Sequence, residues 1–237
     1  DQPTISADTA SIDETDARLT DTGSLNIGDL DTSDTVSAQV IDLQINDDAI
    51  ANGNEIPLAD LEAMFSIDPL APNPAIEGNS NTGTLNWLFD SNATSFDFLA
   101  DGESLVLTYT VQITDDSGDQ NSNTNTNTVT ITIGGTNDQP TISADTATLN
   151  ETNDPLTDSG TLDLHDLDTS DIVSAQVIDL QIDDSNIANG NEIPLIDLEN
   201  MFSIDPVAPD PAIEGNTNTG TLNWLFDSNA TSFDFLA

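Results

Sequence analysis

The sequence predicts an all-β chain of tandem antiparallel sandwiches, with one short helix per repeat. Three observations predict it: a long internal duplication, short runs in which apolar and polar residues alternate, and Gly/Asn/Asp turn signals between them.

The duplication is the strongest. Asp1-Gln2-Pro3-Thr4-Ile5-Ser6-Ala7 returns as Asp138-Gln139-Pro140-Thr141-Ile142-Ser143-Ala144, and Asn86-Trp87-Leu88-Phe89-Asp90 returns as Asn223-Trp224-Leu225-Phe226-Asp227. The offset of 137 holds without a gap, and about 80 of 100 aligned pairs are identical. Differences concentrate in Ser11–Gly28 against Thr148–His165. Residues 1–137 read as a complete repeat. Residues 138–237 read as a second, near-identical repeat without the counterpart of Asp101–Asn137. With no initiator Met and no leader, the chain reads as a piece of something longer.

The strands follow from period-two alternation. Ser104–Ile113 places Leu105, Leu107, Tyr109, Val111 and Ile113 on one face. Thr128–Ile133 repeats the pattern with threonines outward. Val36–Ile45, Thr84–Phe89 and Ser24–Ile27 are rich in β-branched residues and read the same way. Asn81-Thr82-Gly83 reads as a turn, and the Asn121–Asn127 run as a polar loop. One helix is predicted at Pro57–Phe65, with proline in its first turn and Leu58, Leu61 and Phe65 on one face.

Charge excludes several functions. There are 44 acidic residues, one basic side chain (Arg18) and a formal net charge of -43. Such a chain repels itself when compact, so salt or bound cations must offset the charge. It cannot neutralise phosphates, which excludes nucleic acid and anionic membrane surfaces as partners. No apolar run approaches a membrane span. There is no cysteine, so disulfides do not hold the fold.

Catalysis is not expected. Near-identical copies in series suit length, avidity or lattice formation rather than one pocket of individually placed groups. The sequence has no phosphate loop, no Ser-His-Asp set and no His/Cys zinc spacing. His165 aligns with Gly28 of the other copy, which argues for a surface residue. Trp87 and Trp224 could stack on a sugar, but a Trp inside an alternating strand is more often core.

Several ordered motifs resemble one family. Gly23-Ser24-Leu25-Asn26-Ile27-Gly28-Asp29-Leu30-Asp31, Thr82-Gly83-Thr84-Leu85-Asn86-Trp87, Leu99-Ala100-Asp101-Gly102-Glu103-Ser104-Leu105, Thr108-Tyr109-Thr110-Val111 and Val129–Asp138 together resemble VCBS repeats. These repeats are grouped with bacterial cadherin-like domains. The resemblance covers the first copy and what is present of the second. It implies immunoglobulin-like sandwiches, repeated in large secreted bacterial adhesins of RTX type or biofilm-matrix proteins, at an extracellular or cell-surface location. It also implies calcium at the junctions between repeats.

Calcium takes six to eight oxygens, mainly from carboxylates and carbonyls. By resemblance to cadherin-like domains, Glu14, Asn137, Asp138, Asp166 and Asp168 are carried over as ligands at the inter-repeat junction. Asp115 or Asp116 joins them, with Asp101 and Glu103 as further candidates. Asp29 and Asp31, with Asp34, would face a preceding repeat, and Glu151 a following one. The linker departs from the cadherin pattern Asp-x-Asn-Asp-Asn: Gly135 replaces the first Asp and Gln139 the last Asn.

Three functions compete at this point. One is a calcium-stiffened structural extender whose partners are neighbouring repeats of the same protein. Another is a self-assembling filament subunit, completed by strands from a neighbour. The third is a polysaccharide-binding module.

Overall fold

Alternating apolar residues give strands one wet and one dry face, and two dry faces close on each other as a sandwich. The computed structural model describes residues 1–46, 56–117, 123–182, 193–231 and 233. The chain divides into two units, Asp1–Asn137 and Asp138–Ala237.

In unit 1 one sheet contains β1 (Thr4–Ile5), β3 (Thr20–Gly28), β7 (Thr82–Asp90) and β5 (Phe65–Asp68), in the order β1-β3-β7-β5. The other contains β2 (Asp8–Asp13), β9 (Thr124–Gly134), β8 (Ser104–Asp115), β4 (Val36–Asn46) and β6 (Pro74–Ile76), in the order β2-β9-β8-β4-β6. The N-terminal segment therefore crosses from one sheet to the other between β1 and β2. The core lies between the sheets. Leu25, Leu85 and Phe89 from one side meet Leu105, Leu107, Val111, Val129 and Ile131 from the other, all fully buried. The Phe65 and Tyr109 rings stack at 4.3 Å across this interface.

The structure departs from the predicted elements in four places. The sandwich is not wholly antiparallel, because β2 pairs with β9 in parallel, from Asp8↔Val129 to Asp13↔Gly134. The helix is α1, Leu58–Ala63, and it stops short of Phe65. Phe65 begins β5 instead, where pairing with Phe89 buries it. The asparagine run is strand from Thr124 onward, because its backbone pairs with β8 from Thr114↔Thr124 to Val111↔Asn127, and the Asn125 and Asn127 amides donate to the Pro3 and Ile5 carbonyls, both at 2.9 Å. Residues 121 and 122 of that run lie outside the described residues. Thr82 and Gly83 belong to β7 rather than to a turn.

Unit 2 repeats one sheet in full, as β10 (Thr141–Ile142), β11 (Thr157–His165), β15 (Thr219–Asp227) and β13 (Phe202–Asp205). The helix recurs as α2, Leu195–Glu199. A second, two-stranded sheet pairs β12 (Val173–Ser174) with β14 (Pro211–Ile213). β12 has two residues where β4 has eleven. The reason is pairing: β8 covers β4 from Val36 to Asn46, and no described strand of unit 2 pairs with residues 175–182. Among the described residues no helix is long and apolar enough to cross a membrane.

Candidate cation site

β1 and β3 are antiparallel with Thr4 opposite Gly28, so the turn after β3 lies beside the start of the unit. That turn is built by aspartates. The Asp29 amide donates to the Asn81 carbonyl at 3.0 Å, the Asp31 amide to Asp29 Oδ1 at 3.0 Å, and the Asp34 amide to the Asp31 carbonyl at 3.0 Å. The middle contact is an Asx-type turn, in which the short acidic side chain of Asp29 holds the backbone two residues on, and the other two are backbone–backbone bonds. β4 then begins at Val36, whose partner across the ladder is Asp115, the last residue of β8. Register alone thus brings Asp115 to the Asp29–Asp34 turn. Asp116 follows it, and its Oδ1 accepts the Thr35 amide at 2.8 Å.

The outcome is a three-carboxylate cluster. Oxygens of Asp29, Asp34 and Asp115 lie within 4.8 Å of one another. Asp29 and Asp115 are each only 3% exposed. Each uses Oδ1 locally, Asp29 for the Asp31 amide and Asp115 for the Ser117 amide at 3.0 Å and hydroxyl at 2.6 Å. Among the described residues, Oδ2 of Asp29 and Oδ2 of Asp115 are buried with no hydrogen-bond partner. Buried carboxylates are costly unless something positive or hydrogen-bonding meets them. The donor set is all oxygen, which suits a hard cation such as calcium or magnesium. Asp31, beside the cluster, accepts from the Asp1 nitrogen.

Unit 2 builds the same turn. The Asp166 amide donates to the Asn218 carbonyl at 2.9 Å and the Asp168 amide to Asp166 Oδ1 at 3.3 Å. The Asp138 amide donates to Asp168 Oδ2 at 2.7 Å. Asp166 and Asp168 are buried, and Asp168 Oδ1 has no partner among the described residues. Burial pushes the Asp168 carboxyl up to about 6, and the charges of Asp171, Asp138 and Asp166 add to the rise. The Asp138 amide works against it.

The other candidates of unit 1 stand at the opposite pole. The Glu14 amide donates to the Gly134 carbonyl at 2.7 Å, and Glu14 Oε1 accepts the Thr136 amide at 3.1 Å and its hydroxyl. Asn137 follows directly. Glu103 is near, since the Gly135 amide donates to its carbonyl at 3.0 Å, while Asp101 is exposed in the preceding turn. The sequence groups Asp115 and Asp116 with Glu14 and Asn137 in one junction; within unit 1 the structure separates them. β8 runs unbroken from Ser104, opposite Gly134, to Asp115, opposite Val36. Its ends are about 36 Å apart at about 3.3 Å per residue. Asp115 and Asp116 therefore join Asp29 and Asp34. Only knowledge of the β4–β8 register reveals that grouping. In unit 2 Glu151 is exposed, and no described residue there plays the part of Gly134 and Thr136.

Trp87 faces the core at 3% exposure, so its ring face is not offered to a sugar. His165 lies exposed at the end of β11, with Thr141 Oγ1 donating to its carbonyl at 3.2 Å.

No protein-family model matches the chain, and no curated protein matches it. Among solved structures, the chain is similar to zebrafish RET cadherin-like domains 1 to 4, with 10% sequence identity and a TM-score of 0.29. That similarity covers 96% of this chain and 43% of the other, so the chain spans less than half the length of the structure it matches.

Proposed function

We propose that this chain is a non-enzymatic structural extender whose sandwich units are stabilised by calcium at their acidic poles. The carrying observation is the Asp29, Asp34 and Asp115 cluster, with two buried carboxylate oxygens that no described group satisfies. A divalent cation there would meet those oxygens and offset part of the charge of -43. Asp29, Asp34 and Asp115 would hold it, with Asp31 and Asp116 adjacent. In unit 2 Asp166 and Asp168, with Asp138, would take the corresponding part.

The path of the chain supports an extender. It enters unit 1 beside Asp31 and leaves beside Glu14, at opposite ends of the long strands β8 and β9. Units threaded this way add length when repeated. The VCBS resemblance of the sequence supports a large secreted bacterial surface or matrix protein as the setting.

A calcium titration tests this reading by melting temperature and small-angle scattering together. Calcium is expected to raise the melting temperature and reduce flexibility, and EDTA to reverse both. If both readings stay the same in EDTA and in millimolar calcium, the calcium part of the proposal is overturned.

A further inference from the structure

β2 and β9 lie side by side and point the same way, six residues against six. Tension transmitted along the chain pulls β2 from its N-terminal end, at Asp8, and β9 from its C-terminal end, at Gly134. In a parallel pair those ends lie at opposite ends of the ladder. The pull therefore runs along the strands and loads all the hydrogen bonds between them together. Had the pair been antiparallel, both pulls would meet at one end and open the bonds one at a time.

Side chains lengthen the grip. Gln2 Nε2 donates to the Thr124 carbonyl at 2.7 Å, Asn125 Nδ2 to the Pro3 carbonyl at 2.9 Å and Asn127 Nδ2 to the Ile5 carbonyl at 2.9 Å. The segment ahead of β2 is thus bonded to the same strand as β2 itself. β1 contributes only two residue pairs with β3. β9 in turn is paired with β8 over eleven residues, from Ser104↔Gly134 to Thr114↔Thr124. Of the two ladders that hold β9, the β2–β9 ladder is the shorter, six residue pairs against eleven.

We infer that unit 1 carries tension between its ends, and that the parallel β2–β9 ladder, extended by Gln2, Asn125 and Asn127, is the clamp that resists it. This inference rests on the extender reading but not on calcium. Forced unfolding is governed by the unfolding rate, so pulling direction and not only equilibrium stability decides the strength.

The chain has no cysteine, so introduced cysteines define the pulling points on the full chain. The pair Asp1→Cys and Gln139→Cys shears the ladder. The pair Asp1→Cys and Thr124→Cys, with both points at the same end of β9, peels it. All three positions are exposed. At one loading rate the first pair is expected to rupture at a several-fold higher force, in calcium and in EDTA alike. Adding Asn127→Ala is expected to lower the shear force and leave the peel force unchanged. Equal forces in the two directions, in either buffer, overturn the clamp. Loss of the calcium response with the force ratio intact overturns only the calcium reading.

Discussion

The indole Nε1 of Trp87 donates to Asp8 Oδ2 at 2.9 Å, and Trp224 makes the same bond to Asp145 at 2.9 Å in unit 2. In unit 1 the bond ties β2 of one sheet to β7 of the other, and it satisfies the one polar atom of a buried ring. It also explains a glycine. A Cβ at Gly23 would lie 2.5 Å from both the indole and the Asp8 carboxylate, so the ring and the acid share the space a side chain would fill.

Replacing Asp8 by Ala should therefore leave a buried N–H without a partner. A loss of about 1.5–3 kcal/mol is expected, as for a hydrogen bond to a charged group. Urea unfolding followed by circular dichroism measures it. A change within experimental error would show that another group, or water, takes over from Asp8.

Gly23→Ala overpacks the same place. A destabilisation of about 1–3 kcal/mol is expected, since β7 and Trp87 must shift to admit the methyl group. The same unfolding experiment reads it, with Gly134→Ala as the control, because a Cβ there meets only the end of the Asp13 side chain, at 3.4 Å.

Asp115→Asn should have opposite effects in two buffers. In EDTA it removes one of three crowded negative charges, so the melting temperature is expected to rise. In calcium it removes a charged ligand, so the calcium-dependent rise of the parent protein should shrink or vanish. A variant that lowers the melting temperature equally in both buffers would show a role in packing alone.

Asp168 predicts an unusual pH response. Its carboxyl titrates near 6 in the folded unit, against about 3.9 for an unfolded aspartate. The folded state therefore holds this proton more tightly. The contribution is present at low pH and is lost as pH rises from about 4 through about 6. In EDTA the stability of unit 2 is expected to increase as pH falls from 7 towards 5, and Asp168→Asn should flatten that slope. Thermal melts across the range, with and without the substitution, decide it.

Tyr109 is the only tyrosine, so its titration can be read directly by ultraviolet absorbance. Burial pushes its hydroxyl well above the ordinary value near 10, and the hydroxyl donates to the Leu61 carbonyl at 2.7 Å. The neutral form is favoured in the folded state, so the stability it contributes is lost as pH rises above about 10. Tyrosinate absorbance is expected to appear only together with unfolding. Ionisation near pH 10 in the folded protein would mean that the ring is open to solvent.

Much of this protein is determined by sequence alone. The duplication sets two units and their boundary spacing. The alternation of Leu105, Leu107, Tyr109, Val111 and Ile113 dictates a strand buried on one face, and all five are at most 1% exposed. Those features are legible because each is local: side chains two residues apart share a face whatever the partner strand is.

Tertiary structure decided what depends on partners distant in sequence. Phe65 leaves the helix because pairing with Phe89 buries it. Thr124–Asn127 is strand rather than loop because its backbone continues the ladder with Val111–Thr114 of β8, while its asparagine side chains bond to carbonyls 122 residues away. The direction of β2 against β9 follows from the crossing between sheets, which no local pattern encodes. The cluster at Asp29 and Asp34 acquires Asp115 rather than Glu14, because an unbroken twelve-residue strand carries its two ends to opposite poles. The family resemblance named the acids; only the register of β4 against β8 determined which of them meet.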